Sequence, residues 1–194
     1  MTKQNIARPC LVLFTALSVI TGVVYPVAVT GVAGALFPKQ AAGSLVEQNG
    51  KAVGSALIGQ NFSDPGHFWG RPSATAPQPY NGNGSSGSNQ GPLNPALTDA
   101  VKARVEALRT ADPGNTAPVP ADLATASASG LDPHISPEAA RYQAARVARV
   151  RGLNPAQVQQ LIDAQVQRPA LPFLGKPTVN VLALNLALDA MAPR

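Results

Sequence analysis

The sequence predicts an α/β protein in which a single N-terminal transmembrane helix precedes a small soluble domain with a short β-hairpin or sheet and about four helices. Three observations support this fold class. Thirty consecutive positions between Arg8 and Lys39 carry no charge. Asn49-Gly50 separates two short apolar runs, and three later segments with helical spacing each begin with a capping residue followed by proline. At 194 residues, the chain is long enough for one such domain and too short for a polytopic transporter.

The uncharged run predicts a membrane-spanning helix over residues 11–37, because about 20 apolar residues suffice to cross a bilayer. The run is longer than that minimum, so tilt or a kink at Pro26 must absorb the excess. A cleaved secretory signal is the alternative, since Ala33-Gly34-Ala35 follows the A-x-A cleavage pattern. The apolar part of such signals spans only about 7–15 residues, which favours a retained anchor.

The charges that flank this run indicate an orientation. Lys3 and Arg8 precede it, whereas Lys39 and the more distant Lys51 follow it. The positive-inside rule then favours a short cytoplasmic N-terminus, residues 1–10, with residues 38–194 outside the cytoplasm.

Small residues and one proline recur every fourth position along the predicted helix: Ser18, Gly22, Pro26, Thr30 and Gly34. We call them the small-residue stripe. Such a stripe lets a second helix approach closely, which makes Gly22 and Pro26 candidates for docking a partner helix. The alternative is that glycine and proline are simply commoner in membrane helices.

The segment after the predicted hairpin, residues 61–75, places Phe68, Trp69 and Arg71 among glycine and proline breakers. We call it the aromatic loop. Trp and Arg are enriched at the energetic centres of interfaces, so these three residues are candidates for docking a partner. The alternative is that Trp69 fills the core of its own domain and Arg71 binds nearby carbonyl groups.

The remaining segments are assigned from local signals. Residues 76–92 are rich in Gly, Ser, Asn and Pro, which predicts a flexible loop. Helices are predicted to begin at Asn94-Pro95, Ser136-Pro137 and Asn154-Pro155, because proline suits the first helical position after a capping side chain. The last segment, residues 179–191, is ambiguous, and its Leu and Ala content favours a helix.

No motif in the sequence predicts catalysis or metal binding. Ser63, Asp64 and His67 have the residue types of a hydrolytic triad, but neighbouring loop positions rarely give triad geometry. His67 and His134 lack a second ligand at metal-binding spacing. The net charge of +5 is too diffuse for nucleic-acid binding, and the single cysteine, Cys10, excludes an intramolecular disulfide. We therefore predict no catalytic residues and no metal ligands, and cofactor-binding residues cannot be assigned.

Several motifs, in order along nearly the whole chain, resemble the C-subunit family of the Kdp potassium-transporting P-type ATPase. They are LIGQNFSDPGHFWGRPSAT at 57–75, LDPHISP at 131–137, VARVRGL at 147–153 and VNVL at 179–182. Gly66-His67 is a local departure, because the family more usually has a tyrosine there.

The resemblance implies a non-catalytic accessory subunit of the cytoplasmic (inner) membrane that stabilises assembly and raises the ATP affinity of the complex. Its implied partners are a potassium-binding channel-like subunit, a P-type ATPase subunit and membrane lipid. It implies no cofactor of this chain's own, since ATP and the potassium ion act elsewhere in the complex. Without the resemblance, a membrane-anchored ligand-binding protein and an anchored hydrolase remain alternatives.

Overall fold

The computed structural model describes residues 6–191 of the chain, so Lys3 and the first half of the predicted N-terminal segment lie outside the described residues. The chain divides into two compact units between Leu45 and Val46. Their combination of one N-terminal apolar helix, short antiparallel sheets and several further helices confirms the predicted α/β class.

The first unit consists mainly of an apolar helix, Ala7–Leu36, which is long and apolar enough to cross a membrane. A π-helical turn, Ile20–Val24, interrupts its regular α-helical hydrogen bonding. This turn lies directly before Pro26, whose missing N–H and bulky ring disrupt the α-helical pattern at that point. The elements of this unit are α1 (Ala7–Val19), the π turn, α2 (Tyr25–Leu36) and α3 (Pro38–Ala41).

The small-residue stripe lies open along this helix. A Cβ atom placed on Gly22 or Gly34 would meet no other atom within 4 Å. Residues four apart advance about 40° around an α-helix, and the wider π turn opposes that drift. The stripe therefore keeps closer to one side than an uninterrupted α-helix would allow.

The second unit combines two small sheets with helices. Its elements are β1 (Leu45–Gln48), β2 (Lys51–Ser55), α4 (Pro95–Ala111), α5 (Ala121–Ala124), β3 (His134–Ile135), α6 (Pro137–Arg151), α7 (Pro155–Gln165), β4 (Val166–Gln167), a 3₁₀ turn (Pro172–Leu174), β5 (Thr178–Asn180) and α8 (Val181–Met191). Strands β1 and β2 form the hairpin, and the second sheet has the order β3-β5-β4.

Local sequence signals explain where many of these elements begin and end. Asn49 and Gly50 have φ angles of 53° and 74°, as a type I′ hairpin turn requires. The side chains of Asn94, Ser136 and Asn154 each accept a hydrogen bond from a backbone N–H in the first turn of α4, α6 and α7. The predicted hairpin and the three predicted helix starts are confirmed.

The helix predicted over residues 179–191 is wrong at its first two positions. Val179 and Asn180 belong to β5, which pairs antiparallel with β3 and β4, so that Val179 faces Ile135 on one side and Val166 on the other. The pairing strands come from distant parts of the chain, and their ladder hydrogen bonds outweigh the local helix preference of this segment.

The core of the second unit forms where α6, α7 and α8 pack on the three-stranded sheet. Its fully buried side chains include Val147, Val158, Ile162, Leu184 and Leu188. Val150, which the helical spacing places beside Val147, is instead exposed. The aromatic loop also contributes to this core, through the fully buried side chain of Phe68.

Candidate functional site

The aromatic loop contains no helix or strand, so other groups must satisfy its buried backbone. Two buried side-chain amides do this. Asn185 Oδ1 accepts from the Phe68 N–H at 2.8 Å, and its Nδ2 donates to the Phe68 carbonyl at 2.9 Å. Gln143 binds both backbone groups of Trp69 in the same way, at 2.8 and 3.1 Å. Each side-chain amide thus takes the place of the backbone of a neighbouring β-strand, and together the two amides fix Phe68 and Trp69.

Arg146 lies beneath Trp69 with only 2% of its surface exposed. Its guanidinium carbon is 4.4 Å from the centre of the indole ring, and its N–H groups donate to Gln143 Oε1 and to the Pro65 carbonyl. Burial lowers the pKa of Arg146 to about 10, so the side chain remains charged at neutral pH. A cation–π contact and hydrogen bonds compensate this buried charge.

The three predicted docking residues of the loop occupy different environments. Phe68 is fully buried in the core and has no surface that a partner could touch. Trp69 is partly buried, and its Nε1 donates to the Asp64 carbonyl at 2.9 Å. Arg71, with 31% of its side chain exposed, donates to the carbonyls of Thr125 and Ala126 and forms an ion pair with Asp132 at 3.3 Å.

Tyr80, in the 76–92 loop predicted to be flexible, fixes the backbone of Arg71. Its hydroxyl donates to the Arg71 carbonyl at 2.5 Å. Burial raises the pKa of Tyr80 to about 12, with a further contribution from the Asp132 carboxylate, so the hydroxyl remains a donor. A Cβ atom on Gly70 would lie 2.7 Å from this hydroxyl, so a glycine is needed for the close approach.

His67 connects the aromatic loop to the ends of α6 and α8. Its Nε2 lies 3.1 Å from Asp189 Oδ1 and 2.8 Å from Arg151 Nη2, and Arg151 also forms an ion pair with Asp189. Burial by itself raises the pKa of Asp189, but Arg151 and His67 outweigh that effect and hold it below its ordinary value. The cluster joins three segments by charge-assisted hydrogen bonds.

A cavity of about 240 Å³ lies beside the loop. Its walls are mainly apolar, with one cation, and include Phe62, Trp69, Pro72, Arg104, Leu108 and Leu123. Arg104 Nη1 donates to the Ala124 carbonyl at 3.0 Å, and burial lowers the pKa of Arg104. The cavity can accept an apolar group with a negative or carbonyl oxygen beside it.

The candidate triad residues are not arranged for hydrolysis. Asp64 Oδ1 accepts from the Gly66 N–H at 2.6 Å and lies 3.9 Å from His67 Nδ1. Within residues 6–191, no hydrogen bond joins Ser63 to His67, and no three His, Cys, Asp or Glu side chains are grouped as they would be around a metal ion. The predicted candidates Gly22 and Pro26 lie in the first unit, apart from this loop along the chain.

Sequence reasoning missed the side chains that hold the loop: Gln143, Arg146, Arg151, Asn185 and Asp189. Asn185 had a usable signal, because it is the one polar residue in the apolar run 181–188. Arg146 directly precedes the core residue Val147, but adjacent positions on a helix do not normally share a face. The sequence therefore contained no comparable signal that Arg146 would be buried.

Comparisons with known proteins agree over nearly the full chain. A family model described as the K⁺-transporting ATPase c chain, KdpC, matches residues 7–190. The chain is 71% identical over 189 residues to the potassium-transporting ATPase KdpC subunit of Variovorax paradoxus, covering 97% of this chain and 98% of that protein. Equally named subunits of Polaromonas naphthalenivorans and Dechloromonas aromatica are 68% and 61% identical, over 98% and 97% of this chain and 97% and 99% of theirs.

The first testable prediction concerns Asp189. Because its pKa is lowered in the folded state, its contribution to stability is present above the unfolded pKa of about 3.9 and is lost as the pH falls through the folded value. Asp189→Asn should lower the free energy of unfolding by about 1–2 kcal/mol at pH 7, since the partly exposed carboxylate accepts charge-assisted hydrogen bonds. The difference from the unmodified chain should shrink below pH 4.

Denaturant unfolding of the full chain in mild detergent at pH 7 and at pH 3.5 measures this effect. Asp163→Asn is the matched control, because Asp163 pairs with Arg141 on an exposed surface and its loss should change little. A destabilisation by Asp189→Asn that is equally large at both pH values would contradict the assigned role.

Proposed function

The chain belongs to the KdpC family, the c chains of potassium-transporting ATPases, and from this membership we propose that it is a non-catalytic accessory subunit that stabilises a potassium import complex and raises the ATP affinity of its ATPase subunit. The observation that carries the proposal is the extent of the family match, residues 7–190, which includes the apolar helix as well as the second unit.

The geometry of the aromatic loop supports a non-catalytic role. The side-chain amides of Gln143 and Asn185 are both occupied by the loop backbone, and the Tyr80 hydroxyl is held as a donor to Arg71. A nucleophile and base would need to be mutually hydrogen-bonded, and Ser63 and His67 are not. The polar groups around the aromatic loop therefore serve to hold its conformation.

We place the second unit outside the cytoplasmic (inner) membrane, with the N-terminus inside. In that orientation the second unit cannot contact cytoplasmic ATP, and an effect on ATP affinity must be transmitted as a coupling free energy through the membrane helices. The small-residue stripe is the surface that suits this coupling, because it lets a helix of another subunit pack closely, and coupling between sites passes through contiguously packed elements. The partners proposed here are a channel-like potassium-binding subunit and a P-type ATPase subunit.

We also propose that Trp69 and Arg71 dock a partner on the second unit. Trp69 lines the cavity of about 240 Å³, whose apolar wall could receive a side chain from the partner, and Arg71 lies in sequence between the lining residues Gly70 and Pro72. Phe68 contributes only from inside, by fixing the position of its neighbours.

The experiment that tests the accessory role uses the stripe. Gly22→Leu should reduce recovery of the partner subunits with the tagged chain about tenfold, equivalent to roughly 1.4 kcal/mol, because a bulky side chain prevents close helix approach. ATP-driven potassium uptake at low external potassium should fall in parallel. Val23→Leu, at the next position, presents its side chain to a different face and is the control.

Equal recovery from both variants would remove the stripe from the proposal. If the unmodified chain itself recovers no ATPase subunit and its deletion leaves uptake intact, the accessory function is wrong.

A further prediction concerns Arg71→Lys, which keeps the charge but loses the planar fork that binds several acceptors at once. We expect a small loss of thermal stability, of about 1 kcal/mol, and a clear loss of partner recovery. Arg141→Lys, at an exposed ion pair, should affect neither. If folded Arg71→Lys assembles normally and supports normal potassium uptake, the aromatic loop has only a structural role within the second unit.

Topology is tested by labelling a single cysteine. Cys10 is replaced by serine and Ser86, an exposed residue of the 76–92 loop, by cysteine. A membrane-impermeant thiol reagent should label this variant in intact spheroplasts, whereas the unmodified chain with Cys10 alone should react only after lysis. Labelling at position 86 that requires lysis would reverse the proposed orientation.

A further inference from the structure

The turn between β4 and β5 exposes three large apolar side chains within four residues. Leu171 is 47% exposed, Phe173 81% and Leu174 66%. We call residues 171–174 the apolar turn. Single exposed apolar residues are ordinary, but a contiguous group on a protein surface marks an interaction site.

The apolar turn has a defined shape. The Leu174 N–H donates to the Leu171 carbonyl at 3.0 Å, which closes the 3₁₀ turn. Gly175 follows with φ of 156° and ψ of −173°, a conformation that is essentially restricted to glycine. The backbone of the apolar turn therefore has a defined conformation, in which Leu171, Phe173 and Leu174 are exposed.

The charged residues nearest to the turn along the chain are both basic. Arg168 precedes it and Lys176 follows it, both exposed, and no Asp or Glu occurs between Asp163 and Asp189. Neither cation forms an ion pair within the described residues 6–191. Along the chain, the exposed apolar side chains thus lie between two exposed cations that form no ion pair within the described residues.

We propose that the apolar turn inserts into the interfacial region of a phospholipid bilayer, with Arg168 and Lys176 binding anionic headgroups. Aromatic and aliphatic side chains enter the boundary between headgroups and acyl chains, while long basic side chains remain at the level of the phosphates. A bilayer is favoured over a protein partner because this same chain carries its own apolar helix of membrane-spanning length, and because the positive flanks complement lipid phosphates. The contact would be a second membrane attachment, beyond the assembly role proposed above.

The test measures the depth of the turn in a bilayer. The full chain with Cys10→Ser and Phe173→Cys is spin-labelled and reconstituted into nanodiscs of phosphatidylcholine, with or without phosphatidylglycerol. Collision of the label with oxygen, which concentrates in lipid, is compared with collision with a water-soluble nickel chelate. Leu93→Cys is the matched control, since Leu93 is 97% exposed, apolar and without adjacent basic residues.

A label at position 173 should show a severalfold higher ratio of oxygen to nickel accessibility than one at position 93. Phosphatidylglycerol should increase the ratio, and Arg168→Gln with Lys176→Gln should remove that increase. All of these positions are exposed, so the core is left intact, which circular dichroism verifies. An aqueous ratio at position 173 in both lipids overturns the proposal. A label shielded from both reagents also overturns it, because this would indicate a contact with protein.

Discussion

The paired hydrogen bonds that the amides of Gln143 and Asn185 make to the backbone of Phe68 and Trp69 are the constraint on which the rest of the second unit depends. A segment without helix or strand normally stays at the surface, because its buried backbone groups would lack partners. Here two helices supply those partners through side chains. This allows Phe68 to enter the core.

Three arginine side chains fix further parts of the aromatic loop. Arg146 holds the underside of Trp69, Arg71 reaches the segment before β3, and Arg151 joins His67 to Asp189. Arginine suits these positions because its planar fork binds several acceptors at once while keeping its charge. The result is a surface loop with a fixed shape, held by side chains from three different parts of the second unit.

The apolar helix associates by a different kind of packing from the second unit. Its stripe of small residues leaves open space at Gly22 and Gly34, and the π turn before Pro26 keeps these positions closer to one side. In lipid, apolar surface alone does not drive association, so close packing and hydrogen bonds must do so. In the second unit, by contrast, burial of apolar side chains in water provides the driving force, so the two units follow different packing rules.

By itself, the sequence determined the features whose causes are local or compositional. The uncharged run gave an apolar helix of membrane-spanning length, Asn49-Gly50 gave the hairpin, and a capping residue before proline gave three helix starts. The tertiary structure alone decided that Val179 and Asn180 form a strand, that the charged Arg146 is buried, and that Asn185 pairs with Phe68. Asn185 and Phe68 are 117 residues apart in the sequence. Their pairing produces no periodic sequence pattern, because the hydrogen bonds form only once the helices have packed.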